Sequence, residues 1–170
     1  MKKPVAYEDA VDLLDADHKA VKKMFIDYGA LCEDHAPPDH NGALAQRICQ
    51  ALTVHAQLEE EIFYPEVRKA LGDDALMNEA LDEHADAKQT IARIQAMQAS
   101  DAAYDATVKK LGALIDQHVL EERELIFLRA RLSTLDVRGL TLQLLKRKQQ
   151  LISKADTASA PAPAHAKETA

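Results

Sequence analysis

Apolar residues recur every three or four positions along four long stretches of the chain, the spacing of one face of an α-helix. We place these stretches at residues 7–34, 42–71, 73–99 and, with Ser100 or Asp101 as cap, 101–132. Two prolines and a glycine interrupt residues 35–42, while Gly72 and Asp73 are typical of a helix end followed by a helix start. Four long helices with short connections predict an all-α, up-down-up-down four-helix bundle.

The apolar side of each helix should face the core of this bundle. The positions that we expect there are Leu14, Val21, Phe25, Tyr28, Ile48, Leu52, Ile62, Phe63, Met77, Leu81, Ile91, Ile94, Leu111, Ile115, Leu125 and Leu128. Pro65 lies inside the second helix and predicts a local distortion, because proline cannot donate a helical hydrogen bond.

A shorter amphipathic stretch at residues 136–152 predicts a fifth helix, with Val137, Leu140, Leu144 and Leu151 on its apolar side. We expect it to cover the bundle, with a role as an interaction module as the alternative. Its basic run, residues 146–148, is interpreted as a solvated face. Residues 153–170 are poor in large apolar side chains and predict a disordered tail, so the folded domain is expected to span residues 7–152.

Each of the four apolar faces is interrupted by a histidine, and two of them carry a glutamate one turn later. The six residues are His18, His55, Glu59, His84, His118 and Glu122. We counted the residues between each of the six and the nearest break between helices and multiplied by the helical rise of about 1.5 Å per residue. All six then lie within about one turn of the same depth in the bundle. Polar groups in a dry layer are costly unless something satisfies them, so a metal site is favoured over a polar network without metal.

The spacing also repeats: His18 and His55-x-x-x-Glu59 are followed by His84 and His118-x-x-x-Glu122. Two helical hairpins of this design, related by a pseudo-twofold axis, predict a two-metal site. Imidazole and carboxylate without thiolate suit iron, manganese or zinc. Two histidines per ion, two bridging carboxylates and one oxo or hydroxo bridge leave an octahedral iron with a position open to O₂, NO or peroxide.

The pattern resembles the hemerythrin-like HHE cation-binding domain family, over about residues 9–132. Residues 55–65, HAQLEEEIFYP, are similar to the second helix of that family, including its proline. The resemblance implies a non-haem di-iron centre with the six residues above as ligands. A set of four histidines and two glutamates is closer to bacterial hemerythrin-like proteins, and to di-iron proteins associated with iron–sulfur cluster repair, than to oxygen-carrying hemerythrins.

Lys88 occupies the position where oxygen-carrying hemerythrins have a fifth histidine. An ammonium group cannot bind a metal. A neutral Lys88 could touch the open face of the centre, but we expect the side chain to extend outward to water.

Net charge, apolar stretches and cysteines bear on the possible partners and on the cellular location. A net charge of −7 argues against a dedicated nucleic-acid binder. The first residues do not resemble a signal peptide, and no apolar stretch is long enough for a membrane span. Cys32 and Cys49 are expected to be reduced core thiols, so we expect a cytoplasmic protein, a monomer or weak oligomer.

Two functions remain open. The first is a protein that binds or senses O₂ or NO, or handles iron, at a His/Glu-ligated di-iron centre. The alternative is a di-iron enzyme for peroxide or NO detoxification or iron–sulfur cluster repair. His35, His40 and His165 lie outside the helical pattern and are not expected to bind metal.

Overall fold

The computed structural model describes residues 7–159, which contain helices and no strand. Helix α1 is Ala10–Glu33. Helix α2 covers residues 38–71 as an α-helical part Pro38–Leu58, a π-helical turn Glu59–Phe63 and a second α-helical part Tyr64–Leu71. Helix α3 is Asp74–Ala96. Helix α4 covers residues 104–132 as Tyr104–Glu121, a π-helical turn Glu122–Phe127 and Leu128–Leu132. Helix α5 is Gly139–Ser159.

The first four helices form the predicted up-down-up-down bundle. Helix α1 packs mainly against α2, and α3 against α4, so the bundle consists of two hairpins placed side by side. Helix α5 lies against α1 and α2 on the outside of the first hairpin. Among the described residues, no helix combines the length and the hydropathy that crossing a bilayer would require.

The helix ends match the prediction in part. Gly72 has φ 63°, and the Asp73 side chain accepts a hydrogen bond from the backbone N–H of Leu76, as expected for a helix end and an N-cap. Helix α2 begins at Pro38 and not at Gly42, because proline fits the first turn of a helix. The predicted cap of α4 at Ser100 or Asp101 is wrong, since residues 100–103 form turns and the helix begins at Tyr104.

Both π-helical turns begin at a glutamate of the predicted site, Glu59 or Glu122. A π turn inserts one residue into the helix and rotates everything that follows. The rotation makes the prediction for Leu125 and Leu128 wrong: their side chains are 44% and 54% exposed, and Ile126 and Phe127 are buried instead. In α2 the distortion lies just before Pro65, as predicted.

The core is divided into two apolar clusters. One contains Leu13, Leu14, Leu58, Phe63, Met77, Ile126 and Leu144, and the other contains Val21, Tyr28, Ile48, Ile91, Ile94 and Leu111. In α1, His18 separates the residues of the first cluster from those of the second. His55, His84 and His118 are also buried, and they lie on the other three helices of the bundle. The polar layer thus crosses the middle of the bundle.

Helix α5 differs from the prediction in two ways. It continues to Ser159, so the expectation of disorder is wrong for residues 153–159, and residues 160–170 lie outside the described residues. The basic run is also not a purely solvated face, because Arg147 pairs with Glu61 and Lys148 pairs with Asp17. Leu140, Leu144 and Leu151 are buried as predicted.

The rotated face of α4 has a direct test in stability. Ile126→Ala should lower the free energy of unfolding by about 2–5 kcal/mol, because it leaves a cavity in the first apolar cluster. Leu128→Ala should change it by no more than about 0.5 kcal/mol. Urea unfolding of the metal-free variants, followed by circular dichroism, measures both, and equal losses would contradict the π turn.

Candidate metal centre

The structure brings all six predicted residues into one buried layer. Each histidine directs Nε2 to the interior, and each glutamate side chain is at most 1% exposed. The contacts of Glu59 are to His55 Nε2 at 3.2 Å and His84 Nε2 at 3.3 Å. Those of Glu122 are to His18 Nε2 at 3.3 Å and His118 Nε2 at 3.7 Å. Each carboxylate therefore links its own helix to another helix.

These atoms form two adjacent groups that could each hold a cation. His18, His55, Glu59 and Glu122 offer ligand atoms within 4.8 Å of one another, and so do Glu59, His84 and His118. Glu59 belongs to both groups, as a bridging carboxylate would.

The histidines also pair in the way a pseudo-twofold axis predicts. The rings of His18 and His55 pack edge to face with their centroids 4.5 Å apart. Those of His84 and His118 pack in the same way with their centroids 4.7 Å apart. The repeat in the sequence is thus a repeat in space.

The hydrogen bonding of the layer tests whether a metal fits. His18 Nε2, His55 Nε2, both oxygens of Glu59 and Glu122 Oε2 have no hydrogen-bond partner among the described residues. Each buried polar atom in this condition costs about 1–3 kcal/mol. Nitrogen and carboxylate oxygen are ligands for iron, manganese and zinc, and cations placed among these atoms would satisfy them. The residues present fit a metal.

Burial and mutual contact shift the pKa values of the two glutamates in opposite directions. Burial and the nearby Glu59 raise the pKa of Glu122 well above its usual value. Burial also opposes ionisation of Glu59, but His55 and His84 outweigh it and lower the pKa of Glu59. Glu122 is therefore the weaker acid of the two, and a cation held by both carboxylates would favour their ionised forms.

The histidine pKa values diverge for the same reasons. Burial and the charge of His55 lower the pKa of His18 to about 3. Burial also disfavours charge on His55, but Glu59 and Asp17 outweigh it and raise its pKa to about 10. Burial also disfavours charge on His84, but Glu59 and Glu60 outweigh it and raise its pKa. The two histidines that contact Glu59 are therefore more basic than His18.

The outer nitrogen, Nδ1, of every histidine faces a carboxylate. The distances are 2.7 Å for His118 and Glu83, 2.8 Å for His84 and Glu60, 3.6 Å for His55 and Asp17, and 3.9 Å for His18 and Asp15. Metal-binding histidines commonly have such a partner, which fixes the tautomer and the ring orientation. The sequence analysis missed these four carboxylates, although each lies within three residues of one of the six site residues along the chain.

Tyr64 is a further residue of the layer that the sequence analysis missed. Its hydroxyl donates to Glu122 Oε1 at 2.9 Å and lies 3.3 Å from His84 Nε2. The π turn places it there, since its backbone N–H bonds to the carbonyl of Glu59, five residues earlier. Counting at 3.6 residues per turn puts Tyr64 on a different face from Glu59, so the regular pattern carries no signal for it.

Lys88 extends to water, as expected. Its ammonium donates to both oxygens of Glu60 at 2.7 and 2.6 Å, and its side chain is 48% exposed. Glu60 in turn faces His84. Lys88 is therefore linked to His84 through Glu60, and its side chain also lines a small cavity beside the four histidines.

A small cavity of about 30 Å³ adjoins the layer. The four histidines line it together with apolar side chains, including Leu52, Ile91 and Ile115. This volume is about that of one water molecule. His35 is exposed in the α1–α2 connection and His40 is exposed in the first turn of α2, so neither is part of the layer, while His165 lies outside the described residues.

The sequence model of the hemerythrin HHE cation-binding domain matches residues 9–130. The chain belongs to this family. It therefore carries a cation-binding domain, and the two His/Glu groups described above fit that property.

Two known proteins are similar to this chain, one in sequence and one in structure. A DNA nickase from Nostoc sp. is 28% identical over 116 residues, which is 68% of this chain and 32% of that protein, so the chain spans about a third of its length. The crystal structure of a hemerythrin HHE cation-binding domain-containing protein from Mycobacterium kansasii, an Rv2633c homolog, has a TM-score of 0.73 at 18% identity. It covers 88% of this chain and 90% of its own, and it shows the same fold.

Removal of a ligand from α4 should abolish metal loading. We expect His118→Ala and Glu122→Ala each to lose near-stoichiometric metal, because each leaves a cation with an incomplete set of ligands. His35→Ala and His40→Ala are the matched controls, since both side chains are exposed and distant from the layer. The measurement is the metal content of the purified variants. Two ions per chain in His118→Ala would contradict the assignment of helix α4 as a ligand donor.

Tyr64→Phe tests the hydroxyl without changing the packing of the ring. The variant should still load metal, but we expect about tenfold weaker binding, because Glu122 loses a hydrogen-bond donor that orients it. Chelator competition measures the affinity. An unchanged affinity would show that the hydroxyl does not orient Glu122.

Proposed function

We propose that this protein is a non-haem di-iron protein whose two ions are held by the six residues His18, His55, Glu59, His84, His118 and Glu122. The observation that carries the proposal is the convergence of four imidazole Nε2 atoms and two carboxylates in one buried layer. The sharing of Glu59 between the two candidate groups supports two neighbouring ions over one. Carboxylate with imidazole is a donor set that iron accepts readily.

The ligand of this centre is a small molecule, O₂ or NO, which the protein binds or senses. The cavity beside the histidines supports this, because its volume of about 30 Å³ is enough to admit a diatomic molecule. Its lining is mostly apolar, which suits a neutral gas. A role in handling iron uses the same residues.

Turnover of peroxide or NO, or iron–sulfur cluster repair, is the second candidate. Tyr64 favours turnover, since its hydroxyl reaches Glu122 inside the layer. Burial and the nearby carboxyl groups of Glu122 and Glu59 raise the pKa of Tyr64 well above its usual value. The hydroxyl is thereby kept as a hydrogen-bond donor within the layer, 2.9 Å from Glu122 Oε1.

The nickase offers no support for DNA cleavage by this chain, because the match covers about a third of the nickase and a net charge of −7 disfavours DNA binding. We propose a cytoplasmic location, consistent with the free thiols of Cys32 and Cys49. Nucleic acid is not proposed as a partner, and a monomer or weak oligomer is the proposed state.

Metal content and the ultraviolet–visible spectrum of aerobically purified protein test the proposal. We expect near two irons per chain, with charge-transfer bands that disappear on reduction and return or change with O₂, NO or peroxide. Repeated cycles without loss of signal would support binding or sensing, and consumption of peroxide or NO would support the enzyme. Zinc alone after expression with ample iron, or no metal, would contradict the di-iron assignment.

A further inference from the structure

Lys148 lies on α5, beyond the residues that the family model matches, yet it contacts a partner of the metal layer. Its ammonium donates to Asp17 Oδ1 on α1. The side chains of Lys148 and Asp17 are 23% and 16% exposed, so water only partly screens this ion pair. A pair in such a position is stronger and more restrictive than an exposed one.

Asp17 uses its two oxygens for different partners. Oδ1 accepts from Lys148, and Oδ2 lies 3.6 Å from His55 Nδ1, which is an ion-pair distance and slightly longer than a hydrogen bond. On the other side of the ring, His55 Nε2 lies 3.2 Å from Glu59 Oε1 in the centre of the layer. A continuous series of contacts therefore runs from α5 through α1 to a proposed ligand on α2.

The other carboxylates that face a histidine are arranged differently. Asp15 pairs with Lys19 and Arg123, and Glu60 pairs with Lys88, so in these two cases the cation comes from the four-helix bundle itself. The third, Glu83, faces His118 and has no ion pair with a lysine or arginine among the described residues. Asp17 receives its cation from α5. A cation on the fifth helix therefore pairs with the carboxylate that faces His55, whereas cations on the bundle helices pair with the carboxylates that face His18 and His84.

We propose that Lys148 is a positioning residue of the metal centre, which holds Asp17 in the orientation that directs Nε2 of His55 to the metal. The inference rests on the proposed two-metal site and deepens it, because it makes α5 part of the centre and not only a cover for the bundle. Loss of the ammonium leaves Asp17 Oδ1 without this donor, so the carboxylate can turn to water and the His55 ring loses its support.

Cobalt(II) is the probe, because its visible absorption bands report coordination directly. Metal-free full-length protein is titrated with Co²⁺, and chelator competition gives the affinities. Asp17→Asn should weaken binding at the His55 group by about 10–100-fold and Lys148→Met by about three- to tenfold, each with a shift of the Co²⁺ bands. Lys148→Arg should restore most of the affinity, because it keeps the positive charge.

Two controls separate positioning from the docking of α5. Arg147→Gln removes the neighbouring ion pair with Glu61, and Lys146→Met removes an exposed charge of the same helix. Both should bind Co²⁺ like the wild type. In Asp17→Asn/Lys148→Met the two effects should not add, because Lys148 acts through Asp17.

Three results would overturn the inference while two Co²⁺ ions still bind to the wild type. These are unchanged binding in Lys148→Met, an equal loss in Arg147→Gln, and full additivity in the double variant. A wild-type protein that fails to bind two Co²⁺ ions contradicts the two-metal site itself and the inference with it. Circular dichroism of each variant checks that the helices are retained.

Discussion

The structure depends on one constraint, the burial of six ionisable side chains at mid-height of a four-helix bundle. Four histidines and two glutamates interrupt the core and divide it into two apolar clusters. Several of their polar atoms have no hydrogen-bond partner among the described residues, which is costly in the metal-free protein. The packing of the apolar clusters on either side therefore has to offset the cost of holding these six polar side chains together.

The π turns show how the helices accommodate this layer. Each begins at a glutamate, and each rotates the helix that follows, so that a different apolar face meets the core below the layer. In α2 the same turn brings Tyr64 over the layer, where it donates to Glu122 of α4. Such turns are frequent at functional sites because they change side-chain direction without ending a helix.

The two halves of the layer share a design but differ in their surroundings. His84 and His118 face Glu60 and Glu83 at hydrogen-bond distance, while His18 and His55 lie farther from their carboxylates. Burial together with Glu121 and Glu79 raises the pKa of Glu83 to about 7. The first half is instead contacted by α5 through Asp17. Two cations in this layer would therefore experience different electrostatic environments.

The sequence by itself determined the bundle, its hairpin repeat and the six residues of the layer. A regular helix places residues three or four apart on one face, so a polar interruption such as His118-x-x-x-Glu122 is visible without coordinates. Helix lengths between clear breaks then set the common depth. The same reasoning failed for Leu125 and Leu128, because it assumes one constant helical period and a π turn changes that period.

Only the tertiary structure decided the surroundings of the layer. Asp17, Glu60 and Glu83 are ordinary surface-type residues in the sequence, and their role comes from which helix packs beside them. The contact of Lys148 with Asp17 joins residues far apart in the chain, and no local period predicts such a pair. A periodic pattern specifies which face of a helix is buried, whereas the partner of each side chain depends on how the helices pack together.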